Sequence, residues 1–276
     1  MPSRSRERQL AKLAQRRAEE RRRRRRQRAI TIGVAAVVAV AGLGFGGFAL
    51  LSGEETNTSS TPTPTPSATT QAAVACGGKV PKAASREKPQ FKKAPKNAID
   101  PKKTYVMTME TSCGTIKIEL DPKKAPNTVN SLVFLAGERF FDGLLFHRTV
   151  QDFVIQGGDP LTVSGNPPEA FGTGGPGYKT VDPPPDGAKY PAGTVAMAKG
   201  QSEAAGTAGS QFFIVTGDTA DQSLAPEGTG QYAIVGSVID GLDVAEKIEA
   251  LPRVDGAADG RPAEDVYIVK VTVKVS

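Results

Sequence analysis

Downstream of Thr104 the apolar and polar positions fall into short extended runs. Val106, Thr108 and Glu110 alternate with Met107 and Met109; after Cys113-Gly114, a turn signal, Ile116, Ile118 and Leu120 alternate with Lys117 and Glu119. This period of two predicts a β-hairpin. Asn127 is placed to cap a helix that carries Val129, Leu132, Val133 and Ala136 at helical spacing. Six further strands are expected, at 144–150, 153–156, 194–198, 211–216, 232–238 and 266–275, with a second helix over 242–249. Eight short strands, two helices and Gly/Pro-rich connections predict a mainly β domain, an eight-stranded closed antiparallel β-barrel capped by two α-helices.

The pattern upstream differs. Residues 29–51 contain no charge and no proline and are rich in Ala, Val, Leu, Gly and Phe, long enough to cross a bilayer as one helix. Residues 52–103 hold a Thr-Pro repeat from Thr61 to Pro66, then Ser, Ala and Lys, with little to build a core. They read as a disordered linker spanning about 40 Å as a flexible coil. The expected organisation is a cytoplasmic Arg-rich tail over 1–28, a transmembrane signal anchor over 29–51, the linker over 52–103 and the folded domain over 104–276.

Charge sharpens this division. Residues 1–28 carry twelve Arg and one Lys against three Glu, a net of +10, whereas the whole chain is +6 and residues 104–276 are −9. The basic pI therefore belongs to the tail. An acidic folded domain argues against nucleic acid as its partner. The Arg run before residue 29, with no Lys or Arg after the apolar run until Lys79, places the N-terminus in the cytoplasm and the domain outside it. A cleaved signal peptide is the competing reading, but its apolar core would be shorter and followed by a small-residue cleavage site that residues 48–52 lack. The tail itself could also bind RNA or anionic lipid on the cytoplasmic side.

Chemistry is bounded by what is scarce. His147 is the only histidine and Cys76 and Cys113 the only cysteines, which excludes two-histidine metal sites and four-cysteine zinc sites. No metal or cofactor is expected. The two cysteines could form a disulfide outside the cytoplasm or stand as unrelated thiols. Residues 172–177 match G-x-G-x-x-G letter for letter, yet prolines at 167, 168 and 183–185 remove the flanking strand and helix that a dinucleotide fingerprint needs, leaving a loop of turns.

Two stretches are more specific. Phe146-His147-Arg148-Thr149-Val150-Gln151-Asp152-Phe153-Val154-Ile155-Gln156-Gly157-Gly158-Asp159 resembles the cyclophilin signature. Met197-Ala198 followed by Gly209-Ser210-Gln211-Phe212-Phe213-Ile214 resembles the second core motif of that family, and the similarity runs from about Tyr105 to Val275. The resemblance implies a cyclophilin-like fold and a peptidyl-prolyl cis-trans isomerase acting on proline-containing polypeptides. It makes Arg148 the cationic donor and Phe153, Val154, Phe213 and Leu224 the lining of an apolar pocket for the proline ring. Gln156 and Gln211 would orient Arg148 and the peptide, and Ala198 would hydrogen-bond the residue before proline. His147, Gly172, Met197, Lys199 and Tyr232 complete the substrate-binding set, although a lone strand histidine such as His147 is more often a packed, hydrogen-bonded core residue than a base.

The chemistry fits these residues. Amide resonance sets a barrier of roughly 18–20 kcal/mol to rotation about the X-Pro bond. In the twisted state the imide nitrogen regains a lone pair, so a cationic donor near the ring favours that state over either planar one. Arginine does this without losing its charge. Three departures from the family pattern stand out: Ser223 where many relatives carry Trp, Tyr232 where many carry His, and Lys199 for a common Asn. The first argues against tight cyclosporin binding. The alternative reading is a tethered module that binds proline-containing segments with little catalysis, for which a charged donor at the twisted bond would be superfluous.

Overall fold

The computed structural model describes residues 72–218, 220–225 and 231–276. The tail over 1–28 and the apolar run over 29–51 lie outside these residues; among the described residues no helix is long and apolar enough to cross a membrane.

The predicted hairpin forms as β1 (Tyr105–Thr111) and β2 (Gly114–Leu120), with Met107 opposite Ile118 and Met109 opposite Ile116. Each of these four is buried, so the apolar side of the alternation faces the core. The first helix, α1, spans Pro126–Gly137. Asn127 does not cap it. Pro126, whose fixed φ suits the first helical turn, starts the helix, and the orphan amides are met from 55 residues away by Asp182. The Asp182 carboxylate accepts from the Thr128 amide at 2.7 Å, the Thr128 hydroxyl at 2.6 Å and the Asn127 amide side chain at 2.9 Å.

The chain continues through β3 (Phe146–Val150), β4 (Val154–Gly157), β5 (Thr180–Val181), β6 (Thr194–Met197), β7 (Thr207–Ala208) and β8 (Phe212–Val215). A short α2 (Ala220–Leu224), β9 (Ile234–Asp240), α3 (Leu242–Glu249), β10 (Asp259–Gly260) and β11 (Ile268–Val275) complete it. The large sheet has nine strands in the order β10-β3-β4-β8-β6-β9-β2-β1-β11, and β5 pairs with β7 apart from it.

The sheet is a strongly curled half-barrel, which corrects the closed eight-stranded barrel expected from the pattern. The expected strand set lacks β10, too short to register as a period-two run. This strand occupies the free edge of β3 at Thr149 and Val150. Just before β11 a single bridge joins Tyr267 to Leu145, which precedes β3, flanked by backbone bonds such as Ile268 N to Leu144 O at 2.7 Å. Two clusters of buried apolar side chains lie on the two faces: one includes Met107, Ile118, Leu132, Phe141 and Phe212, the other Val154, Tyr190, Phe213 and Leu224.

Residues 72–103 do not run free as the composition suggested; they are seated on the domain. A disulfide joins Cys76 to Cys113, across 37 positions. Ala75 and Ala84 are fully buried, and the Lys88 ammonium donates to the Asp142 carbonyl oxygen. Phe91 stacks edge-on against Phe134 with centroids 4.9 Å apart. At Gly143, φ is +81° and a Cβ would fall 2.3 Å from the carbonyl carbon of Ala83, so the arm's approach requires glycine there. Only a few large apolar side chains, Phe91 and Ile99 among them, pack on the core beside the disulfide, small residues and polar bonds, too sparse a set to read as a core-forming pattern.

Candidate functional site

Register assembles the site. Across adjacent strands Arg148 lies opposite Gln156, Gln156 opposite Phe213, and Phe213 opposite Ala196. Side chains opposite one another share a face, so one row carries a guanidinium, an amide and an aromatic ring. Phe212 and Phe213 part as alternation requires. Phe212 meets Phe141 and Phe146 edge-on at 6.1 Å in the main core, while Phe213 meets Tyr232 edge-on at 5.3 Å on the opposite face.

On that face is a pocket of about 210 Å³. Phe153, Val154, Ala198, Phe213, Leu224 and Tyr232 line it together with the polar Arg148, Gln156, Lys199 and Ser223. Leu224 arrives from α2 and is 5 % exposed, so the helix contributes a buried apolar wall to the pocket. The Lys199 ammonium sits 5.8 Å from the Tyr232 ring centroid, a cation–π contact.

A chain of hydrogen bonds leads away from the arginine. Arg148 Nη1 donates to Gln156 Oε1 at 3.1 Å, Gln156 Nε2 donates to Gln211 Oε1 at 3.1 Å, and Gln211 Nε2 donates to the carbonyls of Gly172 at 2.9 Å and Gly174 at 2.8 Å. The Gly172–Gly174 turn is fixed in turn by the buried Asp159 carboxylate, which accepts from the amides of Gly172, Gly174 and Leu161. Gly158 is required where it stands: φ is +87° and a Cβ would lie 2.4 Å from the Ser210 carbonyl oxygen. The other side of the guanidinium makes a two-pronged ion pair, Nε to Asp259 Oδ1 and Nη2 to Oδ2, both at 2.7 Å.

The structure thus brings Arg148, Phe153, Val154, Gln156, Ala198, Lys199, Phe213, Leu224 and Tyr232 around one pocket. Gln211 and Gly172 line an adjoining polar cleft of about 410 Å³ with Glu203 and Lys179. Two predicted residues stand elsewhere. Met197 is fully buried and its side chain belongs to the main core. His147, at the bulge between Phe146 and Arg148, is buried outside the pocket lining on the Gly172 side, and neither ring nitrogen finds a partner of good geometry. Burial pushes its imidazole down to about 4, more strongly than the Asp159 carboxylate pulls it up, with Arg148 adding to the depression. Sequence reasoning missed Asp259, which arrives from 111 residues away on a two-residue strand carrying no periodic signal. Asp159 stood in the signature stretch without a role.

Comparison with known proteins gives the family. The family model described as cyclophilin type peptidyl-prolyl cis-trans isomerase/CLD matches residues 106–273. Peptidyl-prolyl cis-trans isomerase B of Streptomyces anulatus is 40 % identical over 186 residues, covering 60 % of this chain and 95 % of that protein. A probable peptidyl-prolyl cis-trans isomerase of Brucella suis is 34 % identical over 185 residues, covering 64 % and 86 %. A crystal structure of a Cryptosporidium parvum cyclophilin-type isomerase superposes with a TM-score of 0.51 at 26 % identity, covering 62 % of this chain and 98 % of that one. The same protein in the presence of the dipeptide Ala-Pro gives 0.50 at 26 % identity, over 61 % and 98 %. The chain belongs to the family of cyclophilin-type peptidyl-prolyl cis-trans isomerases.

Proposed function

We propose that this isomerase turns X-Pro bonds in exported or membrane-associated polypeptides by a non-covalent route in which Arg148 stabilises the twisted imide. The observation that carries the reading is the guanidinium lining a small pocket with Val154, Phe213 and Leu224, backed by two amides in series. At about 210 Å³ the pocket is below the size of typical small-molecule sites, which begin near about 300 Å³, and suits a single ring. No bond has to break. Val154, Phe213 and Leu224 grip the prolyl ring, while Arg148 meets the imide nitrogen as its lone pair emerges, an interaction stronger in the twisted state than in either planar one. The Ala-Pro dipeptide present with the related structure is of the chemical class this pocket would take.

The proposed setting is a single-pass membrane protein with its catalytic domain outside the cytoplasm. The +10 tail followed by the uncharged run over 29–51 supports that orientation, and the Cys76–Cys113 disulfide suits an oxidising compartment. The activity is tested by adding catalytic amounts of the purified full chain to a short prolyl peptide held out of cis/trans equilibrium. Uncatalysed relaxation takes tens to hundreds of seconds at 25 °C. A concentration-dependent acceleration is expected; relaxation at the uncatalysed rate would leave a peptide-binding module without catalysis.

A further inference from the structure

We propose that Asp259 is a positioning residue for the isomerase reaction, a clamp that fixes the Arg148 guanidinium at the pocket. The inference rests on the reading of Arg148 as the cationic donor. Asp259 lies opposite Val150 in the β3/β10 register, hence diagonal to Arg148 and on the same face, at a separation long side chains can span. Its two oxygens take Nε and Nη2 at 2.7 Å each while Gln156 takes Nη1 at 3.1 Å. A guanidinium carries five N–H donors in one plane. Three are thereby engaged by groups on two different strands, leaving one N–H on each terminal nitrogen. Arginine has many rotamers, and with its plane held at two edges it no longer has to find the reactive orientation at each turnover.

The loop that delivers Asp259 is itself fixed. The Gln151 amide donates to the Ala258 carbonyl at 3.0 Å, and Arg253 Nε donates to the Thr149 carbonyl at 3.0 Å. Arg148 and Asp259 are 39 % and 51 % exposed at their side chains, so the pair adds little to fold stability. Two consequences of removing the carboxylate oppose each other: the guanidinium loses its orientation, and the pocket gains unbalanced positive charge. The clamp requires that the first prevail.

The test measures kcat and KM on a prolyl peptide for the purified full chain as wild type, Arg148→Ala, Asp259→Ala, Asp259→Asn and the Arg148→Ala/Asp259→Ala double variant. Asp259→Ala is expected to lower kcat about tenfold with KM changed less than about twofold and the unfolding midpoint unmoved. The two variants lacking Arg148 are expected to share one residual rate. Should Asp259→Ala fail to unfold cooperatively, Asp259→Asn, which keeps the shape without the charge, carries the same expectation. Wild-type or higher kcat in the folded Asp259 variants, beside a collapsed Arg148→Ala, overturns the clamp alone; an Arg148→Ala enzyme at full rate overturns the mechanism beneath it.

Discussion

His147 and Arg148 are neighbours with opposite fates. Arg148 faces the pocket and solvent, whereas His147 is buried with its imidazole held neutral and its pKa near 4 against 6.5 in the unfolded chain. The folded-state value is depressed, so the unfolded chain binds the extra proton between these limits and stability falls as pH drops from about 6.5 through 4. The full effect is on the order of 3 kcal/mol. Replacing His147 with Gln should flatten that acid limb, read as the dependence of the denaturation midpoint on pH; an unchanged limb would mean His147 is not the buried group responsible. At this scale the resemblance carried by the two stretches made Arg148, Gln156, Gln211 and Phe213 legible, and the strand register shows why Arg148, Gln156 and Phe213 share a face. The resemblance could not show Asp259, whose pairing with Arg148 depends on how a distant irregular loop returns to the sheet.

Elements were legible where their period ran long enough to count. β1, β2, α1 and α3 follow the expected pattern closely, but β5, β7 and β10 have two residues each, too few to alternate. The cap of α1 shows the same limit in another form. Asn127 is the right residue type near the right place, yet Asp182 supplies the oxygens, and nothing local distinguishes the two. Asp182 is 6 % exposed, so Asp182→Ala would leave the Thr128 amide without its acceptor and the Thr128 hydroxyl with only Thr180 as a partner. A loss of about 2 kcal/mol is expected by denaturant titration. Asn127→Ala should cost less than Asp182→Ala; the reverse order would restore the helix cap to Asn127.

Over the whole molecule the largest difference from the sequence reading is the arm over 72–103, whose low hydrophobicity suggested a tether and whose seat combines a disulfide, the Phe91 ring contact and close approaches of backbone such as that at Gly143. Closing 37 residues by the Cys76–Cys113 disulfide contributes about 4 kcal/mol in the chain-entropy account. Cys113→Ser should therefore lower stability by up to that amount and leave Ala75 and Lys88 accessible to proteolysis of the arm, as mass spectrometry of digests would show. Beyond the arm the proposed anchor predicts that, in a bacterial host, the full chain sediments with membranes and resists alkaline extraction while a chain beginning at residue 52 is released; a soluble full chain would contradict it. The account stands or falls, though, at one side chain. The most direct measurement is kcat/KM of Arg148→Ala on a prolyl peptide, for which a loss of about a hundredfold or more with an unchanged unfolding midpoint is expected. Turnover equal to the wild type in a folded Arg148→Ala protein would contradict it.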